Sequence, residues 1–168
     1  PKLAQADPER YGASFCSVDG QRWCRGDSED SFTVQDLCGP LLYLTALELL
    51  GVSEVHKHCG RENSGAGINE IILDSSNKPH NPFNDAGRLV VGFLIKPELS
   101  LADRFNFIKD SWNNATGDSG AIGFANSHYL SQRKHSNRAF CLAYLLKDAG
   151  ELPGDGLNSA LDFMFMND

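Results

Sequence analysis

The sequence predicts a mainly α-helical fold with one β-hairpin near the N terminus. Three observations support this prediction: a turn dipeptide between two strand-like segments, several apolar runs bounded by helix-cap residues, and an ordinary globular composition. The chain has 168 residues, of which 41% are hydrophobic and 22% charged, and this suits one domain with a core. We therefore predict a single domain over residues 1–168.

The hairpin prediction depends on Asp19-Gly20, a dipeptide typical of two-residue loops between antiparallel strands. Strand-like segments lie on both sides of this dipeptide, over residues 13–18 and 21–24. Together these features predict a hairpin over residues 13–27.

The cysteines leave two interpretations open. Cys16 and Cys24 flank the predicted turn and could form a cross-strand disulfide. The alternative is that every cysteine is an ordinary thiol, because unpaired cysteines are common in protein cores. The spacing matches no zinc-binding pattern, and we predict no metal site. The five cysteines are Cys16, Cys24, Cys38, Cys59 and Cys141.

Apolar runs bounded by cap residues predict the helices. The first run follows Asp36, ends at Gly51 and is apolar nearly all round, which is typical of a buried helix. Residues 52–84 are rich in Gly, Asn and Pro and predict short helical pieces and loops. The predicted helices cover residues 37–50, 86–95, 101–115, 126–149 and 157–166.

The charge and hydropathy exclude two classes of partner. A net charge of −7 argues against nucleic acid, because phosphate binding requires a basic surface. No apolar run approaches the length of a membrane span. The chain begins at Pro1 rather than Met, so we expect a processed N terminus and favour an extracellular location.

One segment resembles a known enzyme family. Lys78-Pro79-His80-Asn81-Pro82, followed by Asp85-Ala86-Gly87, is similar to a segment of animal-type glutaminases. Further collinear likenesses are 17–22, 26–27, 32–35, 60–65, 123–126 and 161–163. The family consists of serine-dependent amidohydrolases with a β-lactamase-like fold. The resemblance implies the helical lobe of that fold with one hairpin, truncated before the family's C-terminal sheet strands.

The resemblance places the catalytic positions of the family on unusual residues. The nucleophilic serine corresponds to Asp36, and the lysine that takes its proton corresponds to Gly39. A carboxylate at the nucleophile position should repel a developing oxyanion. The long side chain of Arg88 replaces a small residue and could fill the pocket or pair with Asp36 or Asp85. Further family positions with altered chemistry are Asp85, Gln132, Ala139 and Met164.

These changes lead to a functional expectation. We expect no enzyme activity, because Asp36 and Gly39 replace the catalytic serine and lysine. The chain would then be a non-catalytic, glutaminase-like binding or structural protein, a pseudoenzyme. Loss of the sheet strands would uncover apolar surface, which an identical subunit, a related partner chain, or an apolar pigment or lipid could cover. The alternative is an amidohydrolase with a remodelled site, or one chain of a split enzyme.

Overall fold

A computed structural model describes residues 2–153 and 155–168, and it confirms a mainly helical fold with an N-terminal hairpin. A short 3-10 turn, Gln35–Leu37, leads into the helices. The strands are β1 (Gly12–Cys16) and β2 (Arg22–Gly26), and the helices are α1 (Cys38–Leu50), α2 (Val52–His58), α3 (Asp85–Leu94), α4 (Leu101–Thr116), α5 (Asn126–His135), α6 (Asn137–Asp148) and α7 (Leu157–Asn167).

The hairpin is antiparallel and carries two free cysteines. Its register pairs Ser14 with Cys24 and Cys16 with Arg22, so the two cysteines lie diagonally rather than opposite each other. Both are free and exposed in the structure. A disulfide requires closely facing Cβ atoms, so this arrangement agrees with the interpretation of ordinary thiols.

Helix α3 is the centre of the helical bundle. Every residue from Ala86 to Gly92 is buried, and the helix contacts α1, α2, α6 and α7. Leu89 and Val90 join one apolar cluster with α6 and α7. Val91 joins a second cluster with α1, α2, α4 and α7. Helix α3 therefore connects both halves of the core. Each of its buried aliphatic side chains contributes about 1.5–3 kcal/mol to the free energy of unfolding.

The start of α3 explains the sequence of the segment before it. The Asn84 side chain caps the helix by accepting from the Gly87 backbone N at 2.8 Å. A Cβ on Gly87 would lie 1.9 Å from the Asn81 carbonyl oxygen, so this crossing requires glycine. Asn81 also accepts from the Phe83 N at 3.0 Å and donates to the Glu62 carbonyl at 3.0 Å. The segment therefore positions the N-terminal end of α3.

A buried arginine from α4 holds the C-terminal end of α3. Arg104 is 1% exposed, and its guanidinium donates to the carbonyls of Gly92 at 2.7 Å and Ile95 at 2.9 Å. The same group lies 4.1 Å from the centre of the Phe163 ring. A cation is favourable here, because the C-terminal carbonyls of a helix carry partial negative charge.

The predicted helix over residues 126–149 is interrupted. Helix α5 ends at His135 and α6 begins at Asn137, because Ser136 adopts φ −90° and ψ 49° between them. Serine and asparagine side chains compete with helical hydrogen bonds, which favours a break at this point. The other four predicted helices agree with α1, α3, α4 and α7 to within one residue at each end.

Helix α1 is less buried than its composition predicts. Its inner face carries Cys38, Leu42 and Ala46 into the core. A row of leucines on the other side is exposed, namely Leu41, Leu44, Leu49 and Leu50. The prediction of a buried apolar helix is therefore correct for one face only, because few residues of the described chain cover the other face.

None of the helices within residues 2–153 and 155–168 combines the length and hydropathy that crossing a bilayer requires.

We predict that Arg104→Met lowers the free energy of unfolding by about 2–4 kcal/mol, because it removes a charged donor and leaves buried carbonyls without partners. Urea denaturation measures the change. Arg22→Met on the exposed face of β2 is the control, with an expected change below about 0.5 kcal/mol. Equal effects of the two substitutions would contradict the role of Arg104.

We also predict two classes of thiol. Cys16, Cys24 and Cys141 are exposed, whereas Cys38 and Cys59 are buried, and burial raises the pKa of both to about 12.

Maleimide labelling at neutral pH, followed by peptide mass spectrometry, should modify the three exposed cysteines rapidly. The two buried ones should react only after denaturation, which also serves as the control for accessibility. Rapid labelling of Cys38 or Cys59 in the native protein would contradict this packing. Failure of Cys16 and Cys24 to react without a reductant would instead indicate a disulfide.

Candidate functional site

Five of the positions identified by the resemblance lie around one cavity of about 270 Å³. The cavity is formed by the turn before α1, the first turns of α3 and α6, and parts of α5 and α7. The lining positions are Asp36, Asp85, Gln132, Ala139 and Met164. Residues that lie far apart in the sequence are thus brought together as the resemblance implies.

Arg88 forms the charged floor of this cavity. Its side chain is 5% exposed, and Nη1 lies 3.0 Å from Asp36 Oδ1 and 3.1 Å from Asp168 Oδ1. Nη2 lies 2.9 Å from Asp85 Oδ1. The predicted pairing of Arg88 with Asp36 or Asp85 is confirmed for both carboxylates. Asp168 is a third partner that the sequence did not indicate.

The electrostatics of this cluster are strongly coupled. Burial alone would lower the pKa of Arg88, but Asp168, Cys38, Asp85 and Asp36 outweigh it and raise the pKa above its usual value. Burial raises the pKa of Asp168, and the attraction of Arg88 offsets this only in part. One guanidinium faces three carboxylates, so the cavity has an excess of negative charge when all are ionised.

Gly39 does not line the cavity but makes room for Arg88. A Cβ on Gly39 would lie 3.4 Å from Cδ of Arg88, which is van der Waals contact distance. A longer side chain at position 39 would compete with Arg88 for the same volume. Glycine at position 39 therefore leaves room for the long side chain of Arg88.

The backbone before Asp36 is held in an unusual conformation. Gln35 has φ 46°, a left-handed value that non-glycine residues rarely adopt. Its N donates to the Asp168 carbonyl at 2.8 Å, and its Oε1 accepts from Gln132 Nε2 at 3.1 Å. Such strain costs about 1–3 kcal/mol and persists where surrounding contacts enforce it. These contacts fix the direction in which Asp36 leaves the turn.

The remaining substituted positions differ in character. Gln132 is polar and connects the two sides of the cavity, since its Nε2 also lies 3.4 Å from Asp168 Oδ2. Ala139 and Met164 are buried and belong to the apolar cluster of α3, α6 and α7. They therefore add apolar surface to the lining of the cavity.

Cys38 lies beside the charged cluster without being a suitable nucleophile. Its Sγ is 3.4 Å from Asp168 Oδ1 and 3.6 Å from Arg88 Nη1. Burial, followed by the nearby Asp168 carboxylate, raises the pKa of Cys38 to about 12, so the group is a thiol at neutral pH. In the part of the chain that the structure describes, no three His, Cys, Asp or Glu side chains are grouped as metal ligands would be.

Sequence reasoning missed Asp168 and the role of Gln35. Asp168 follows an apolar helix, where an acidic residue ordinarily suggests a solvated helix end. Its burial depends on the packing of α7 against α3, α4, α5 and α6, which no local pattern encodes. The signal for Gln35 was present only as part of a segment similar to the family.

Comparisons with known proteins agree with the resemblance. A model of the glutaminase family matches residues 1–167. Putative glutaminase 2 of Caenorhabditis elegans is 40% identical over 167 residues, which cover 98% of this chain and 27% of that protein. The mitochondrial liver isoform of glutaminase from Rattus norvegicus is 36% identical over 98% of this chain and 27% of that protein.

A solved structure of a Bacillus glutaminase has a TM-score of 0.87 to this chain at 23% identity. The match covers 99% of this chain and 56% of that one, and it shows the fold alone. The predicted helical lobe with a hairpin is consistent with this likeness. The chain spans about a quarter of the length of the two curated relatives.

These comparisons contradict the expectation that the chain is not an enzyme, because the relatives are named as glutaminases. That expectation depended on the replacement of the catalytic serine and lysine by Asp36 and Gly39. In the structure Asp36 instead forms a carboxylate–guanidinium pair with Arg88, so charged groups remain at the substituted position. With a family model matching residues 1–167 and a glutaminase fold over nearly its whole length, the chain belongs to the glutaminase family.

Proposed function

We propose that this chain is the helical part of a glutaminase-type amidohydrolase with a remodelled site. One observation carries the proposal: the substituted family positions other than Gly39 surround a single cavity, with the Asp36–Arg88 pair at the nucleophile position. The chain spans about a quarter of its curated relatives, so we expect other groups of the site to come from further polypeptide or from a second chain.

Hydrolysis of an amide requires a base that activates the attacking oxygen and a group that stabilises the developing oxyanion. The Asp36 side chain is 59% exposed, so water can reach its carboxylate. In this proposal Asp36 takes a proton from that water as the water oxygen bonds to the amide carbon. Asp36 then returns the proton to the amide nitrogen as the C–N bond breaks, which releases ammonia and leaves a carboxylic acid.

Arg88 holds the base in place and supplies positive charge beside the reaction. Its guanidinium is buried, so solvent screens its field weakly. Without this cation, Asp36 would lie near Asp85 and Asp168 and would be repelled by both. Arg88 therefore offsets part of the repulsion between the Asp36 carboxylate and a developing oxyanion.

The charge of the cavity favours a substrate that carries an ammonium group as well as an amide, as glutamine does. Asp168 lies 3.4 Å from Gln132 Nε2, so a carboxylate remains near the neutral Gln132. Excess negative charge from the three aspartates attracts a cation. We therefore propose glutamine as the substrate to test first, with other primary amides as the comparison.

The expected assembly with another subunit and the expected apolar ligand remain predictions. The exposed leucines of α1 support contact with an identical subunit or a related partner chain, since such rows are commonly covered. An apolar pigment or lipid would avoid the charged cavity, because desolvating these groups costs several kcal/mol, on the order of 2–7.

The first prediction of this proposal concerns ammonia release from glutamine by the protein purified with its complete polypeptide. Asp36→Asn should lower kcat by about 10²–10⁴-fold, because the amide cannot act as the base. Asp148→Asn, at an exposed position at the end of α6, is the matched control and should leave kcat unchanged. Absence of ammonia release from glutamine and every other primary amide by the wild-type protein would overturn the proposal.

The second prediction concerns Arg88. Arg88→Met should lower the free energy of unfolding by about 3–5 kcal/mol, because it leaves the buried Asp168 without its cation. The Asp168 pKa then rises further above its unfolded value, and stability is lost as pH rises through it. The loss should therefore be smaller in mildly acidic buffer than at neutral pH.

Denaturant titration in both buffers measures this effect. Arg138→Met is the control, because Arg138 lines the same cavity but forms an exposed ion pair with Glu70. Its effect should stay below about 1 kcal/mol and should depend little on pH. A small, pH-independent effect of Arg88→Met would contradict the described ion cluster.

A further inference from the structure

A second cavity of about 110 Å³ lies between α4, α5, the C-terminal end of α7 and the loop before α1. It is a neighbour of the candidate site, because Gln132, Phe165 and Asp168 line both cavities. The other residues around it are separate from the candidate site, and nothing in the proposed hydrolysis uses this second cavity.

Aromatic side chains are concentrated around the second cavity. Six of its 18 lining residues are Phe, Trp or Tyr, whereas these types make up 10% of the chain. The ring centres of Phe105 and Phe124 lie 5.4 Å apart, and those of Phe124 and Tyr129 lie 5.7 Å apart. These rings are inclined to each other by 65° and 51°, which is how aromatic rings attract further rings. The six residues are Phe32, Phe105, Trp112, Phe124, Tyr129 and Phe165.

Some of these rings are exposed to solvent, so a ligand can reach the cavity. Phe32 is 75% exposed and Phe124 is 44% exposed, whereas Phe105, Trp112 and Phe165 are buried. The lining thus extends from exposed aromatic side chains to buried ones. An apolar molecule in the cavity would remove part of the exposed rings from water, which is favourable.

The charged groups beside the cavity favour a neutral ligand. Lys109 lines the cavity from α4, and Asp168 lines it from the end of α7. An anion would be attracted by Lys109 but repelled by Asp168, and a cation would experience the opposite forces. A ligand of either charge would also lose its hydration on entering, whereas an uncharged ring loses little.

We propose that this cavity binds a small neutral molecule that contains a single aromatic ring. Its walls supply ring-to-ring contacts, and its volume sets the size of the ligand. In apolar protein interiors, a cavity of about 150 Å³ holds one benzene molecule. A volume of about 110 Å³ with an accessible edge therefore accommodates one ring and excludes a fused pair. The competing occupant is water.

Ligand-observed fluorine NMR of fluorobenzene, added to the complete protein, tests the proposal. The fluorobenzene resonance should broaden in a saturable manner. Three further probes provide the comparison: para-fluorobenzoate is anionic, para-fluorobenzylamine is cationic, and fluorocyclohexane lacks the aromatic ring. Each should bind at least about fivefold more weakly than fluorobenzene, because the first two must be desolvated and the third makes no ring-to-ring contact.

A substitution that fills the cavity assigns the binding to this place. Ala125 lines the cavity and is exposed, so Ala125→Phe should place a ring in the cavity and weaken fluorobenzene binding by about tenfold or more. Ala115→Phe, at an exposed position on α4 outside the cavity, is the matched control and should leave binding unchanged. If Ala125→Phe does not fold, Phe124→Ala replaces it, with an expected loss of about fivefold.

Broadening that never saturates, or that the cavity-filling variant leaves unchanged, would overturn the proposal and leave water as the occupant. Equal binding of the charged or saturated probes would also overturn it, because the cavity would then not select a neutral aromatic ring. Fluorobenzene contains no amide, so the test does not depend on hydrolysis. A protein that releases ammonia from glutamine but does not bind fluorobenzene would refute this inference alone, and the reverse result would refute the proposed activity alone.

Discussion

The ion cluster around Arg88 connects the parts of the chain on which the candidate site depends. Asp36 lies before α1, Asp85 begins α3 and Asp168 follows α7, and all three contact one buried guanidinium at 2.9–3.1 Å. A buried cation without partners costs several kcal/mol, so the helix ends that carry these carboxylates are constrained together. At its other end, α3 is held by Arg104 through two backbone carbonyls. The central helix is thus fixed by an arginine at each end.

This arrangement changes the meaning of the substitutions in the site. A carboxylate at position 36 is unfavourable by itself, and so is a long cation at position 88. Together they form an ion pair at 3.0 Å, and Gly39 leaves the space that the cation occupies. The changes at positions 36, 39 and 88 are therefore physically linked. The expectation of lost activity depended on the replacement of the catalytic serine and lysine, and the relatives named as glutaminases contradict it.

Local sequence signals predicted the hairpin and four of the helices, and the resemblance implied that Arg88 could pair with Asp36 or Asp85. Cap residues, turn dipeptides and family-like segments act over a few residues, so they are visible in the sequence. The break at Ser136 was missed, because residues 131–138 contain no glycine or proline that would mark the end of a helix. The burial of Asp168 and the exposure of the α1 leucines depend on tertiary packing, and no local pattern contains that information.

The central claim is that Arg88 and the buried Asp168 stabilise each other. A double-mutant cycle of Arg88→Met and Asp168→Asn, measured by the free energy of unfolding at neutral pH, tests it most directly. The structure predicts that the double variant loses at least about 1 kcal/mol less unfolding free energy than the two single variants lose together. The reason is that Asp168→Asn removes the charge that Arg88→Met leaves unpaired. Additive effects, equal to within about 0.5 kcal/mol, would show that the two groups do not interact and would contradict the account.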